Sequence, residues 1–346
     1  MFTTNTIMSV IRCPNCKGLL SVKVVSEDDL GIREGELDCP ACNRVYPVRE
    51  GILHLQPRDE ITTASKDWSL RSFDDAYRRV GGEQSNIEWG DKIGIPRAIS
   101  QYDHPRVKGR LLEWLGPPDN GMVLDVGAGS GYFIFEMMGA CTAKDLSFVG
   151  TDPSFEHIKW LERRRREEKN KSVLTVVGDG RSLPFADCVF DVVVSSEVLE
   201  HIPAKREAIQ EMARCLKTGG VLLLSTPSKN AFDFWDFVSA PLRWALRTRG
   251  PNAAYDRPIR PRDLRSLLEE VGLAPEHFEL NVLIPPQSYF ARLPKFSASI
   301  IAEFCGRVES SRHLKRLLES RFALHIVLCA RRIDRDTGTP PSTPQG

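Results

Sequence analysis

The stretch VLDVGAGSGYF, Val123 to Phe133, constrains this chain more than any other. A short apolar run leads into glycines at 127, 129 and 131, and the helix-forming YFIFEMM follows. That order reads as strand, tight turn, helix, with a backbone that can bend sharply and let a ligand approach closely. The alternation continues downstream. LSFVGTD, SVLTVVGD, FDVVVSS and VLLLST are apolar strand runs, and a charged helical stretch from Ser154 to Asn170 separates the first two. A second helix carries Ile209, Met212, Ala213 and Leu216 on one face and ends at Gly219. A third carries Leu264, Leu267, Leu268 and Val271 before Gly272, and FALHIVLCARR supplies a last strand. Apolar strands alternating with helices predict an α/β fold with a parallel sheet covered on both faces.

Three nucleotide-type ligands compete for the glycine loop. A phosphate-binding P-loop needs Gly-Lys-Ser/Thr at its end, and GSGY offers none. A dinucleotide fingerprint needs a small third residue where Tyr132 stands. S-adenosylmethionine (SAM) carries no phosphate and asks only for backbone room. Here Asp125-Val-Gly127-Ala128-Gly129-Ser-Gly131 resembles motif I of the class I SAM-dependent methyltransferases, nearest to the type 11 group that includes ubiquinone and menaquinone biosynthesis enzymes. VGTDPS, GDGRSLPF, FDVVVSSEVLEHIP and CLKTGGVLLLSTPSKN match later motifs in order, over about 120 to 335. The resemblance implies a Rossmann-like seven-stranded sheet. It also implies a cofactor site of Asp125, Gly127, Ala128, Gly129, Gly131, Asp152, Pro153, Asp179, Gly180, Ser196 and Glu197, with Asp152 on the ribose hydroxyls and Asp179 near the adenine amino group. A carboxylate suits a diol because it accepts two hydrogen bonds at once. His201 lies four residues after Glu197, would share a helix face with it, and is the candidate base. SSEV stands where exocyclic-amine nucleic-acid methyltransferases carry Asp/Asn-Pro-Pro-Tyr/Phe, so O, C and other N acceptors stay open.

A different chemistry sits near the start. Cys13-x2-Cys16 and Cys39-x2-Cys42 form two pairs with zinc-ligand spacing. Four thiolates leave no open coordination position, so the expected zinc is structural, and His54 nearby is not needed as a ligand. The ribbon with its trailing YPVREGILHL resembles the small zinc-ribbon activator protein of tRNA, rRNA and release-factor methyltransferases. Between Ile11 and Pro57 six basic residues face seven acidic ones, which argues against a nucleic-acid reader. The remaining cysteines (Cys141, Cys188, Cys215, Cys305, Cys329) stand in apolar or helical contexts and read as buried thiols.

The chain has 346 residues and a formal net charge of +1, which gives no global field for nucleic acid or membrane. No run approaches the roughly 20 apolar residues of a spanning helix, and the first ten residues do not form a secretory signal; the expected location is cytoplasmic. The expected organisation is a zinc ribbon at 11–57, a helical linker or cap at 58–120, and a methyltransferase domain at 121–335 containing a lid-like insertion at 228–260. A disordered tail at 336–346 follows. The insertion holds Phe232, Phe234, Trp235, Phe237 and Trp244 among arginines. It reads as core helix, as a lid over an apolar acceptor, or, through 231–254, as a peripheral membrane contact. ERRRREEKNK from Glu162 reads as a solvated, salt-bridged face. The function expected is methyl transfer from SAM to an O, C or N nucleophile of a small or lipid-like acceptor. The alternatives are an RNA or protein methyltransferase using the ribbon as a partner or substrate contact, and a SAM-binding module without catalysis.

Overall fold

The computed structural model describes residues 2–57, 97–116, 119–141, 145–235, 237, 257–283 and 295–333. A short helix α1 (Thr4–Val10) precedes a meander of β1 (Ser21–Asp28), β2 (Gly31–Cys39), β3 (Arg44–Arg49) and β4 (Ile52–Leu55). Helix α2 (Arg97–Trp114) leads into β5 (Met122–Val126), α3 (Tyr132–Ala140), β6 (Ser147–Asp152), α4 (Phe155–Glu167), β7 (Val173–Gly178) and β8 (Phe190–Ser196). Then come a 3₁₀ turn (Leu199–His201), α5 (Lys205–Cys215), β9 (Leu216–Pro227), α6 (Pro261–Glu270), β10 (Leu273–Asn281), α7 (Lys295–Ser310), α8 (Arg312–Phe322) and β11 (His325–Arg332).

Among the described residues eleven strands join one sheet in the order β1-β2-β3-β4-β7-β6-β5-β8-β9-β11-β10. From β7 to β10 it is a seven-stranded Rossmann-like sheet, parallel through β9 and antiparallel at β11 and β10. Period-two burial explains its two-sided cover. Leu124, Val149, Val176, Val193 and Leu222 pack on the face with α5 and α6. Their neighbours Val123, Phe148, Val177, Val192 and Leu223 pack on the other, with α2, α3 and α4. The strand order reverses between β5 and β8, and in open α/β sheets the ligand crevice lies outside the carboxyl ends at that point.

The ribbon is not a separate bead. Its strand β4 pairs in parallel with β7, Leu53 opposite Val176 and Leu55 opposite Gly178, and so covers the sheet edge that β7 would expose. Polar contacts reinforce the seam. Lys17 Nζ meets Glu211 at 2.8 Å, and Ser182 Oγ donates to the Pro14 carbonyl at 2.7 Å.

Several expectations change. The α5 helix ends at Cys215, and Leu216 begins β9 with Gly219 and Gly220 inside the strand. The ERRRREEKNK stretch is solvated only in part. Arg163–Glu167 and Arg164–Glu168 are exposed pairs, whereas Glu162 and Arg165 are buried against the ribbon. Arg165 bonds Glu162 at 2.7 Å and the Leu30 carbonyl at 3.2 Å, Thr175 donates to Glu162, and Arg166 reaches Asp28. Of the five single cysteines, Cys215, Cys305 and Cys329 are buried, Cys141 is half-buried and Cys188 is exposed. Residues 58–96, most of the 228–260 insertion and the tail from 334 lie outside the described residues. Among the described residues no helix is long and apolar enough to cross a membrane.

Candidate functional site

Each glycine of the loop after β5 has a distinct reason to be glycine. Gly127, Gly129 and Gly131 hold φ of 80°, 55° and 78°, the left-handed region that side chains avoid. A Cβ at 127 would meet Val198 Cγ2 at 2.3 Å and one at 131 would meet Leu161 Cδ1 at 2.2 Å; at 129 it would meet nothing within 4 Å. Gly127 and Gly131 therefore allow packing, and Gly129 leaves an open cradle. The amides of Gly127 and Ala128 donate to the Thr151 carbonyl, locking the loop to β6.

Asp152 ends β6 beside this cradle. Its carboxylate accepts from the Gly129 amide at 3.1 Å and from the Ser154 amide at 2.8 Å, and lies 3.4 Å from His157 Nδ1. Ser154 caps α4, which fixes that turn. Pro153 offers its carbonyl to Gln56 of the ribbon at 2.6 Å. Asp179, just past β7, is gripped by Arg181 through its backbone amide and guanidinium. Gly180 sits near Val126 and Ile202, and Ser196 Oγ lies 3.1 Å from Ser225 Oγ. Asp125, Asp152, Asp179 and Glu197 thus gather around the carboxyl ends of neighbouring strands.

The expected Glu197–His201 face does not form. Glu197 takes a left-handed φ of 57° and the chain then makes a 3₁₀ turn, so the two side chains leave a shared helical register. His201 lies 3.9 Å from Glu200, which is itself buried and bonded by Thr226. Glu197 pairs instead with His325 Nδ1 at 3.0 Å.

Sequence reasoning missed the far wall of the site. Helix α2 brings Asp103, His104 and Lys108 over the loop, and α3 contributes Glu136. Lys108 is buried, with its ammonium 4.9 Å above the Phe133 ring. Burial lowers its pKa against the pull of Glu136, Asp125 and Glu197. Burial also pushes Asp125 up to about 7; Lys108 restrains that rise and Asp152 adds to it. A lone histidine inside the apolar run FALHIVLCARR was the available signal for His325, and the mixed composition of HPRVKGRLLEWL hid Lys108.

The four paired cysteines converge as their spacing predicts. Their Sγ atoms lie within 4.8 Å of one another, with Cys13–Cys42 at 3.6 Å and Cys16–Cys39 at 3.5 Å. A tetrahedral ion with metal–sulfur bonds of about 2.3 Å has sulfur–sulfur edges of about 3.8 Å, so the set fits a zinc clip. The two knuckles match in form. Lys17 and Asn43 each take a left-handed φ after the second cysteine, and each amide returns to the carbonyl of the first at 2.8 Å. Burial alone would raise the Cys13 thiol, yet hydrogen bonds from Tyr46 and from the amides of Cys16 and Asn15 bring it down to about 7. His54 stands apart from the cluster, with its ring 5.0 Å from that of Phe155.

The sheet and its glycine loop are those of the class I methyltransferase fold. Residues 124–224 match the methyltransferase-domain family Methyltransf_11, and residues 5–51 match the Trm112p-like protein family. The mitochondrial ubiquinone biosynthesis O-methyltransferase of Mus musculus is 33% identical over 221 residues, covering 58% of this chain and 57% of its own. Demethylmenaquinone methyltransferase of Corynebacterium efficiens is 34% identical over 145 residues, covering 40% and 57%. A solved complex of the Haloferax volcanii Trm112 methyltransferase activator with a methyltransferase superposes with a TM-score of 0.47 at 18% identity, covering 73% of this chain and 100% of that one. The chain spans between 38% and 57% of the length of the first five curated relatives. The two family matches thus fall on different parts of the chain, a Trm112p-like segment at 5–51 and a methyltransferase-domain segment at 124–224.

Proposed function

We propose that this protein transfers the methyl group of SAM to an oxygen, carbon or nitrogen of a small or lipid-like acceptor. The observation that carries this reading is the open cradle at Gly129 beside the Asp152 carboxylate, at the point where the strand order reverses. In this reading Asp152 turns from the Gly129 amide to the ribose hydroxyls, and Asp179 with Gly180 borders the adenine. Lys108 supplies a buried cation for the methionine carboxylate. The sulfonium is already an activated methyl donor, so the chain's task is to align the acceptor and exclude water. His201, partly exposed, serves as the base for an acceptor that must lose a proton.

The ribbon holds one structural zinc ion on Cys13, Cys16, Cys39 and Cys42. The insertion at 228–260 acts as the acceptor lid. Its described start supports that role, since Phe234 packs 4.2 Å from Phe322 while Phe237 is exposed. An aromatic, arginine-bearing lid suits an apolar acceptor, with 231–254 touching a membrane surface from the cytoplasmic side.

The test is calorimetric SAM binding together with methyl turnover against a panel of quinol, phenol and lipid acceptors. Asp152→Asn should weaken SAM binding by about 10-fold or more, as loss of a charged hydrogen-bond acceptor does. Deleting 231–254 should abolish turnover while leaving SAM affinity in place. A wild-type chain that binds no SAM refutes the enzyme reading, and unchanged turnover after the deletion refutes the lid.

A further inference from the structure

We propose that His325 and Asp103 are positioning residues that hold Glu197 against the ammonium group of SAM's methionine moiety. The proposal rests on the SAM-site reading above and adds to it a buried relay from the last strand and from α2.

Glu197 has a left-handed backbone that a non-glycine residue adopts only when its surroundings impose it. Two contacts impose it here. The Glu197 amide donates to the Ser225 carbonyl at 3.0 Å, and the next residue, Val198, fills the space that a side chain at Gly127 would need. Glu197 is thereby pressed beside the glycine loop, at the end of the cradle nearest Gly127.

Its two carboxylate oxygens differ. Oε2 faces His325 Nδ1 at 3.0 Å, whereas Oε1 is buried and has no hydrogen-bond partner among the described residues. A buried acceptor without a partner calls for a donor from a ligand. His325 is itself buried, at the start of β11, with the uncharged Pro227 and Asn281 opposite it on β9 and β10. Its other nitrogen, Nε2, faces Asp103 Oδ2 on α2 at 3.4 Å. Burial opposes a charged ring, but Glu197 and Asp103 outweigh it, and the pKa lies well above the ordinary histidine value. An imidazolium can donate but not accept, so His325, held within ion-pair distance of a carboxylate at each nitrogen, orients Glu197 by charge and takes no proton from substrate.

A cation also stands close enough to feel the charge of Glu197. Lys108 is buried, with its ammonium 4.9 Å from the Phe133 ring centre and 5.7 Å from that of Tyr132. A free amino acid end is a zwitterion, with a carboxylate for Lys108 and three N–H donors for Glu197. The two side chains read both charges of the methionine moiety and ignore the adenosine.

That division supplies the test. S-adenosylhomocysteine carries the amino acid group, and 5′-methylthioadenosine keeps the nucleoside and thioether without it. Both are titrated calorimetrically into the full-length wild type, Glu197→Gln, His325→Gln and Asp103→Asn. The expected result is S-adenosylhomocysteine binding weakened about 10-fold or more in Glu197→Gln and His325→Gln, with methylthioadenosine held within about 2-fold. Raising the pH should add a second signature. The imidazolium is lost on the alkaline side, so wild-type affinity for S-adenosylhomocysteine falls there more steeply than that of His325→Gln. Equal weakening of both ligands, or of neither, overturns the relay and leaves His325 a structural residue. If His325→Gln does not fold, Asp103→Asn carries the same comparison from the outer end. A wild type that binds neither nucleoside overturns the SAM-site reading and the relay with it, which separates the two failures.

Discussion

Gly129 and Gly131 stand two residues apart and share a left-handed backbone, yet substitution should act on different properties. Gly131→Ala drives a Cβ to 2.2 Å from the fully buried Leu161, and overpacking plus the φ penalty should cost roughly 3 kcal/mol of stability, read by denaturant unfolding. Gly129→Ala meets open space, so stability should fall by only about 1 kcal/mol while SAM affinity drops as the cradle fills. Equal losses of stability in the two variants would contradict this division. The sequence made the loop legible because a strand, three spaced glycines and a helix have few other uses. It did not make legible which glycine faces ligand, since that depends on Val198 and Leu161, whose approach is tertiary. His325, Asp103 and Lys108 were hidden for the same reason. Each is an ordinary residue in its own stretch and acquires meaning only where β11 and α2 cross the ends of β5 and β8.

At the scale of elements, α4 shows how one helix serves two neighbours. Its first turn, capped by Ser154, frames Asp152, while its last turns bury Glu162 and Arg165 against the ribbon. Removing one member of a buried pair strands the other, so Arg165→Ala should destabilise the fold by roughly 3 kcal/mol or more. Arg163→Ala, from an exposed pair with Glu167, should change stability by less than about 0.5 kcal/mol in the same denaturant titration. Comparable effects would mean that the buried network does not clamp the ribbon. Alternating charges along this helix read as solvated because periodicity reports which residues share a face and says nothing of what covers it. The strands from β5 to β9 and the last one were readable as apolar runs between turns. Strand β10 was not, because LAPEHFELN lies at the sheet edge and is half polar. Helices α7 and α8 were missed as well, for among the side chains described there the buried apolar ones are few: Ala302 and Cys305 on α7, and none on α8.

For the whole molecule, the ribbon and the seven-stranded sheet are one hydrogen-bonded structure, which changes what a metal on the four thiolates would hold together. A chelator should lower the melting temperature of the entire chain and raise amide exchange along β7. Zinc measured on the purified protein should approach one ion per chain, because structural zinc contributes on the order of 10 kcal/mol to so small a unit. Melting unaffected by a chelator, in protein free of zinc, would contradict this. The sequence suggested two units, and their fusion through β4 was not readable because ILHL carries no mark of the strand it will meet. That pairing also has a consequence for synthesis. Leu53 waits for Val176, more than a hundred positions later, and at about 5–20 residues per second the ribosome needs roughly 6–25 s to make up the difference. During that interval the nascent ribbon presents Leu53 and Leu55 on an unpaired edge, so early capture of metal by the four thiolates would keep it folded until its partner strand emerges.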